Sequence, residues 1–272
     1  HVSPELPTVL TIHDISFIHY PEYFPWRPRI WYLPAVKQQL ARGLKKNWHI
    51  VAVSQHTAKD LLEQFPKLKN NLHIITPGVG DEFFIQPTLG EIADVLTKYK
   101  LPKQYLLSTG TIEPRKNHQI LLEAYTKLVA TDHNFPYDLV IAGAWGWRYQ
   151  SLVKLYNSLS CKNRIHFIGY VSQTEKRALY AGATLFLYPS HYEGFGLPPL
   201  EAMASGVPVL ISHVSSLPEV VGDAGVLLSP LNPNVWAEAI HWLINDESAH
   251  RDLSARGPVR DKKFSWQKSA ES

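Results

Sequence analysis

The chain has a single cysteine, Cys161, among its 272 residues. A lone cysteine excludes an internal disulfide framework and a zinc site built on cysteine ligands, and it favours a reducing compartment. We therefore expect a cytoplasmic protein. No apolar run is as long as a membrane-spanning helix requires, so the sequence predicts no such helix.

Several signatures of phosphate or metal binding are also missing. The sequence has no Walker lysine motif, no Gly-x-Gly-x-x-Gly and no Asp-x-Asp pair at the end of a predicted strand. These absences argue against a P-loop nucleotidase and an NAD-dependent oxidoreductase, and we expect no bound metal. The net charge of +3 is mild, so it indicates an ordinary surface and no nucleic-acid partner.

Apolar, β-branched runs alternate with segments of helical period, as is typical of parallel α/β sheets. Three strands are predicted in the first hundred residues, at 8–12, 49–53 and 72–75. Six more are predicted at 105–108, 139–142, 165–171, 184–188, 207–211 and 225–228. The fold class is therefore α/β, with doubly wound, Rossmann-like domains.

The domain boundary is predicted near residue 100. Residues 1–100 would form the C-terminal part of a first domain plus a linker, 101–260 a second domain, and 261–272 a terminal helix. Because the first strand follows almost at once on His1, we expect an incomplete first domain that lacks an N-terminal segment. Proline density after residue 20 predicts irregular backbone until about Ile30.

Polar residues follow several predicted strands at their carboxyl ends, where doubly wound sheets bind ligands. Arg115 and Lys116 follow the strand 105–108, and two adjacent cations can hold a diphosphate. Taken alone, such a pair is more often a solvated basic loop, but its place between a strand end and a helix start favours ligand binding. His13 follows the first strand. A single histidine there is more often structural, but a facing domain would bring it to the ligand cleft.

The chain is organised around a turn that holds two glutamates separated by seven residues, Glu193 and Glu201, with Gly194 and Gly196 between them. A glycine turn before a helix offers free N–H groups to an anionic or polyhydroxyl ligand. A carboxylate accepts two hydroxyls, so Glu201 suits a ribose diol. Glu193 suits sugar hydroxyls and a developing oxocarbenium centre. In isolation, two such glutamates are more often exposed surface charges.

The segment from Glu193 to Glu201 resembles the E-x7-E signature of retaining GT-B glycosyltransferases, especially the bacterial enzymes that transfer mannose, glucose or rhamnose from nucleotide sugars. Segments 111–117, 141–144 and 217–225 are similar to the same family in order and spacing, and 11–14 is similar to its active-site strand. The resemblance implies a GT-B architecture of two Rossmann-like domains that face a cleft.

The resemblance also implies roles for individual residues. Arg115 and Lys116 would clamp the donor diphosphate, Glu193 would hold the donor sugar, and His13 would lie by the anomeric carbon, which gives four catalytic residues. Gly78 would approach the donor or the acceptor. The complete donor-binding set would be Gly110, Arg115, Lys116, Tyr170, Val171, Glu193, Phe195, Gly196, Leu197 and Glu201.

The expected reaction is retaining transfer of a hexose from a nucleotide diphosphate sugar to a saccharide or lipid-linked saccharide. GDP-mannose is favoured because 13–17 and 192–201 resemble mannosyltransferases of surface-polysaccharide and O-antigen assembly. UDP- and dTDP-sugars stay open. The segment 20–32 has two interpretations, contact with a lipid-linked acceptor at the inner face of the membrane or a packed connection. The alternative functions are a GT-B sugar-nucleotide epimerase and a non-catalytic nucleotide-sugar-binding fragment.

Overall fold

A computed structural model describes residues 8–45 and 48–272, without the side chains of 26–33, 44 and 45. The strands in this range are β1 (Val9–Ile12), β2 (His49–Ala52), β3 (Leu72–Ile74), β4 (Tyr105–Thr109), β5 (Asp138–Ala142), β6 (Ile165–Gly169), β7 (Leu185–Tyr188), β8 (Val209–Ser212) and β9 (Val226–Leu228). The α-helices are α1 (Ser16–His19), α2 (Trp26–Lys45), α3 (Gln55–Gln64), α4 (Leu89–Tyr99), α5 (His118–Thr131), α6 (Gln150–Ser158), α7 (Gln173–Gly182), α8 (Leu197–Ala204), α9 (Leu217–Val221), α10 (Pro233–Asn245), α11 (Glu247–Asp261) and α12 (Trp266–Glu271).

The strands form two parallel sheets, as the alternating pattern predicts. The first has the order β1-β2-β3, and the second has the order β6-β5-β4-β7-β8-β9. In the second sheet, the direction of winding reverses between β4 and β7. Ligands of doubly wound domains bind beyond the carboxyl ends of the strands at such a reversal. The fold therefore places the loops after β4 and β7 at the expected ligand site.

Strand β4 shows why the second sheet is buried on both faces. Its five residues are all buried, and successive side chains point to opposite faces. Tyr105 and Leu107 belong to one apolar cluster, together with residues of α7, α8 and α9. Leu106 belongs to a second cluster on the other face, together with residues of α5 and α10. The sheet is thus a layer between two cores, which holds its strand ends in fixed positions.

The connection between the two sheets contains α4, which packs against the second sheet's helices. Thr88 caps α4 in a capping box with Glu91, and Glu91 also pairs with Arg177 of α7 at 3.0 Å. Val95 of α4 lies in the same apolar cluster as β4. The predicted boundary near residue 100 stays a prediction.

One local prediction of the backbone was wrong. Helix α2 begins at Trp26, four residues before Ile30. Pro28 fits there because the N–H groups of a helix's first turn have no intrahelical acceptor. Helix α11 was not among the predicted elements, and it contains Gly257 and Pro258, residues that usually interrupt a helix. A Cβ at Gly257 would lie 3.0 Å from the carbonyl oxygen of Met203, so this glycine lets α11 approach α8 closely.

Gly78 has a packing role, and its expected approach to the donor or the acceptor stays a prediction. A Cβ there would lie 2.1 Å from the backbone nitrogen of Trp266, at the start of α12. The terminal helix therefore returns to the end of the first sheet. In the part of the chain that the structure describes, none of the helices combines the length and apolar character needed to cross a membrane.

Candidate active site

The floor of the candidate site consists of glycines at the ends of three neighbouring strands. A Cβ at Gly143 would lie 1.9 Å from the carbonyl oxygen of Gly110, and the Gly143 N–H donates to the carbonyl of Gly169 at 2.8 Å. Gly110 has a φ of +137°, which residues with a side chain rarely adopt. These glycines keep side chains away from the strand ends, so a ligand can approach the backbone there.

Above this floor, Glu193 joins the two predicted cations. Glu193 Oε1 accepts a hydrogen bond from Lys116 Nζ at 2.7 Å, and Oε2 accepts one from Arg115 Nη1 at 3.0 Å. Arg115 also donates to Glu113 Oε1 at 2.7 Å, and Lys116 donates to the Tyr188 hydroxyl at 2.6 Å. The structure thus brings together residues from the loops after β4 and β7, as the sequence motifs imply.

The charges in this cluster control the protonation of its members. Burial alone would raise the pKa of Glu193, but the charges of Lys116 and Arg115 outweigh burial and lower that pKa to about 2. Burial also raises the pKa of Glu113, against the opposing effect of the same cations. The pKa of Lys116 is lowered, chiefly by burial and in spite of Glu193. Before a donor binds, the two basic side chains are therefore paired directly with the carboxyl groups of Glu113 and Glu193.

Glu201 lies in the middle of α8 and is also held by partners. Its Oε1 accepts from Lys176 Nζ at 2.6 Å, and its Oε2 accepts from the Tyr180 hydroxyl at 2.9 Å. Burial raises the pKa of Glu201, although Lys176 and Tyr180 both act to lower it. Sequence reasoning missed Lys176 and Tyr180. The only signal was their spacing of four residues on a predicted helix, which places them on one face.

Glu201 and Lys176 line an open cleft of about 270 Å³ that extends over the glycine floor. Gly110, Tyr170 and Val171, three residues of the expected donor-binding set, line the same cleft. The Tyr170 side chain is 79% exposed, so its ring is free to lie against a ligand. The cleft is therefore continuous from the end of β4 to Glu201.

The turn that carries Glu193 is fixed by its backbone. The N–H of Glu193 donates to Ser215 Oγ at 2.9 Å, and the Ser216 hydroxyl donates to the carbonyl of Glu193 at 2.9 Å. Gly196 has a φ of +136°, and α8 begins at the next residue, Leu197. Phe195 points inward and contacts Phe264 edge-on, so only its backbone is available to a ligand.

His13 lies beside this turn, at the end of β1. Its side chain is exposed, and its carbonyl oxygen lies 1.8 Å from where a Cβ on Gly194 would be. Gly194 therefore has to be glycine for the two sheets' loops to meet. The structure places His13 at the E-x7-E turn, so the four expected catalytic residues come from neighbouring loops.

A buried carboxylate of α3, the helix that follows β2, also holds the turn. Asp60 of α3 accepts from the Tyr192 hydroxyl at 2.6 Å, and it also lies 3.1 Å from His19 Nε2 and 3.4 Å from His56 Nε2. Tyr192 directly precedes Glu193, and its carbonyl accepts from Arg115 at 2.8 Å. Sequence reasoning missed this cluster, since its members are far apart in the chain and belong to no recognised motif.

The segment 20–24 packs against the second sheet's loops. The Trp147 indole N–H donates to the carbonyl of Tyr23 at 2.7 Å, and Phe24 lies against Trp147 with ring centroids 5.9 Å apart. Tyr23 stacks on His191 at 5.4 Å. Residues 20–24 of the segment 20–32 therefore form a packed connection. The side chains of 26–32 lie outside the described residues, and lipid contact there stays a prediction.

Two family models match the two parts of the chain. The model described as "Glycosyl transferases group 1" matches residues 95–260, and the model described as "Glycosyltransferase Family 4" matches residues 3–83. The first match spans more than half of the chain, and it includes the glycine floor, the cation pair and both glutamates.

Among curated proteins, O-antigen chain mannosyltransferase B of Escherichia coli is 38% identical over 260 residues, which are 95% of this chain and 67% of that protein. Serotype-specific mannosyltransferase WbdA of Escherichia coli is 34% identical over 224 residues, 81% of this chain and 27% of that protein. The chain thus spans about two thirds of the first relative and about a quarter of the second.

The crystal structure of Anabaena Alr3699/HepE in complex with UDP and glucose superposes with a TM-score of 0.80 at 19% identity, covering 97% of this chain and 70% of that chain. At this identity the likeness concerns the fold. It confirms the expected GT-B architecture of parallel, Rossmann-like sheets.

Proposed function

The chain belongs to the group 1 glycosyltransferases, and from that membership we propose that it moves a mannosyl unit from a nucleotide diphosphate sugar to a saccharide hydroxyl. GDP-mannose is the favoured donor, because the relatives at 38% and 34% identity are named as mannosyltransferases. Those names also favour transfer over the epimerase and the non-catalytic fragment.

One observation carries the proposal: the convergence of Arg115, Lys116 and Glu193 where the second sheet reverses its winding. Donor-free, the two cations are neutralised by carboxylates. When a diphosphate binds, its oxygens compete for the cations, which frees the Glu193 carboxylate for hydroxyls of the donor sugar. Glu201 would accept from the ribose diol at the other end of the cleft.

In the proposed reaction, the bond between the anomeric carbon and the diphosphate oxygen breaks as the acceptor oxygen forms a new bond on the same face. The acceptor's proton passes to the departing diphosphate. Arg115 and Lys116 stabilise the negative charge that develops on this leaving group, and such stabilisation is a large part of catalysis in many enzymes. His13 and the Glu193 carboxylate lie on the side of the positively charged anomeric centre.

The proposal also includes the acceptor and the location of the protein. A saccharide of a surface polysaccharide, free or lipid-linked, suits relatives named for the O-antigen chain, and its assembly from nucleotide sugars would place the protein in the cytoplasm at the inner face of the membrane. Sedimentation with vesicles of anionic phospholipid tests the membrane contact. Recovery of all the protein in the supernatant would contradict it.

Calorimetry against GDP-mannose, UDP-glucose and dTDP-rhamnose tests the donor assignment, and tightest binding of GDP-mannose is expected. In Arg115→Ala, loss of the charge-assisted bonds to the leaving group should lower kcat about 100-fold. Arg251→Ala is the matched control, because Arg251 is an exposed arginine paired with Glu247 on α11. Unchanged turnover of Arg115→Ala at saturating donor would show the clamp assignment to be wrong. Epimerised nucleotide sugar formed without acceptor would favour the epimerase.

A further inference from the structure

Helix α3 follows a strand of the first sheet, but one face of it contacts the turn that carries Glu193. Thr57 Oγ1 of α3 donates a hydrogen bond to the carbonyl oxygen of Gly194 at 3.0 Å. Asp60, three residues further along α3, accepts a hydrogen bond from the Tyr192 hydroxyl at 2.6 Å. Residues three apart lie on one face of a helix, so α3 contacts both chain neighbours of Glu193 at once.

Both contacts are shielded from water. Thr57 is fully buried, and Asp60 is 5% exposed. A buried carboxylate is costly unless it has partners, and the Asp60 carboxylate has His19 Nε2 at 3.1 Å and His56 Nε2 at 3.4 Å besides the Tyr192 hydroxyl. Hydrogen bonds to a charged group are also stronger than those between neutral groups. The two contacts therefore hold the turn at a defined distance from α3.

A third contact fixes α3 itself against the second sheet's layer of helices. The two carboxylate oxygens of Glu219, in the first turn of α9, accept hydrogen bonds from the backbone N–H groups of Gln55 and His56, each at 3.1 Å. Such N–H groups have no acceptor within their own helix, and the helix dipole favours a negative charge beside them. Because α9 packs in the core of the second sheet, its glutamate gives α3 a defined position relative to that sheet.

The turn depends on such contacts. Residues 191–196 belong to no helix or strand, so their geometry comes from their partners. Hydrogen bonds with the loop after β8 hold the backbone of Glu193 itself, and α3 holds the residue on each side of it. Under the proposed function, Arg115 and Lys116 turn from Glu193 to the diphosphate when the donor binds. From then on, the contacts of the turn's backbone and neighbours hold the Glu193 carboxylate in place.

We propose that α3 positions the Glu193 carboxylate for the hydroxyls of the donor sugar, with Thr57 and Asp60 as the positioning residues. The inference rests on the proposed function for the role of Glu193, and it adds that a helix of the first sheet holds part of the donor-sugar site. Thr57 and Asp60 act through the neighbours of Glu193. Position matters at such a site, because a displacement of about 1 Å can lower an enzyme's rate about 100-fold.

Thr57→Val tests the inference, because valine keeps the shape of the side chain and removes the hydroxyl. Calorimetry should show that the ratio of the affinity for GDP-mannose to the affinity for GDP falls about fivefold, since one hydrogen bond of ordinary strength is lost. The affinity for GDP itself should not change, because Arg115 and Lys116 stay in place. With mannotriose as acceptor, kcat should fall about tenfold, since the carboxylate is displaced. Thr57→Ser keeps the hydroxyl and should restore the wild-type values.

Thr126→Val is the matched control. Thr126 lies in α5, outside the candidate site, and its hydroxyl donates to the carbonyl of Leu122 in the same helix at 2.7 Å. The change should alter neither the affinity ratio nor kcat. If Thr57→Val lowers only the Tm and leaves both quantities at their wild-type values, α3 has a purely structural role and the inference is refuted.

Tyr192→Phe gives a second test that does not depend on the folding of Thr57→Val, because it breaks the other contact with α3. The ratio of the two affinities should again fall about fivefold, and an unchanged ratio would overturn the inference. The wild type separates this inference from the proposed function. Failure of every nucleotide sugar to bind to the folded wild type would refute the proposed function, whereas wild-type transfer together with unchanged ratios in both variants would refute the positioning by α3 alone.

Discussion

Replacement of Glu193 by glutamine removes the charge that two cations share but keeps the shape of the side chain. Arg115 would keep Glu113 as its partner, at 2.7 Å. Lys116 would keep only the neutral Tyr188 hydroxyl and the amide oxygen, so a buried ammonium would lose its counter-charge. Breaking a buried pair costs about 3–5 kcal/mol. We expect a loss near the lower end, because glutamine still offers one acceptor oxygen.

Thermal unfolding measures this loss. About 3 kcal/mol corresponds to a fall in Tm of roughly 6–12 °C for a chain of this size. The pKa of Glu193 is about 2 in the folded protein, against 4.5 ordinarily. Its stabilising contribution is therefore complete above about pH 4.5 and is lost as the pH falls toward 2. The difference in Tm between wild type and Glu193→Gln should accordingly shrink below pH 4.5.

Glu193→Gln also distinguishes binding of the donor's diphosphate from binding of its sugar. GDP should raise the Tm of Glu193→Gln more than that of the wild type, because the diphosphate supplies the missing negative charge to Arg115 and Lys116. Transfer activity should nevertheless be lost, since the sugar's carboxylate partner is gone. Glu247→Gln, which alters an exposed pair on α11, is the control. A wild-type Tm together with wild-type turnover in Glu193→Gln would refute the reasoning.

Three further predictions concern residues outside the cation pair. Asp261 is fully buried with both carboxylate oxygens unpartnered among the described residues, and its pKa is raised to about 8 by burial and then by the charge of a second carboxylate. An acid whose pKa is raised on folding destabilises the folded protein increasingly as the pH rises from the group's unfolded pKa near 4 toward 8. Asp261→Asn should therefore stabilise the folded protein by about 1–3 kcal/mol at pH 8 and by much less at pH 4, as measured by urea unfolding. Equal effects at both pH values would contradict this prediction. Gly194→Ala should abolish transfer and lower the Tm, because its Cβ would lie 1.8 Å from the His13 carbonyl oxygen. Gly90→Ala in α4 is the control: its Cβ would make only an ordinary van der Waals contact with Thr88 Oγ1 at 3.8 Å, so the change should be neutral or stabilise the protein by about 0.5–1 kcal/mol. Wild-type activity and Tm in Gly194→Ala would contradict the close contact. Tyr192→Phe loses its bond to a buried carboxylate in α3 and should raise the donor KM while the fold persists, and unchanged steady-state kinetics would show that this bond does not position the turn.

Most of the fold could be predicted because its signals are local. The β-branched runs gave the strands of both sheets, and Ser54 and Ser172 are N-caps of α3 and α7, as a sequence pattern can indicate. Helix α11 could not be predicted, since Gly257 is explained only by the close approach of α8. A residue that breaks isolated helices is tolerated where tertiary packing requires a missing side chain.

The candidate site could be predicted only in part, for a similar reason. Arg115, Lys116 and Glu193 lie at strand ends, and the topology of a doubly wound sheet brings such ends together. The sequence does not indicate that Lys176 reaches Glu201, since that pair depends on how α7 packs against α8. The sequence also does not show that Arg115 and Lys116, the expected diphosphate-binding pair, are already paired with carboxylates.

The stereochemistry of the product tests the central claim most directly. Incubation of the chain with GDP-mannose, whose mannose is α-linked, and mannotriose should give an α-linked product, as the one-bond C1–H1 coupling in NMR would show. Arg115→Ala and Glu193→Gln should give little of it. A β-linked product, or no transfer of mannose by a folded chain that binds GDP-mannose, would contradict retaining transfer at the Arg115–Lys116–Glu193 cluster.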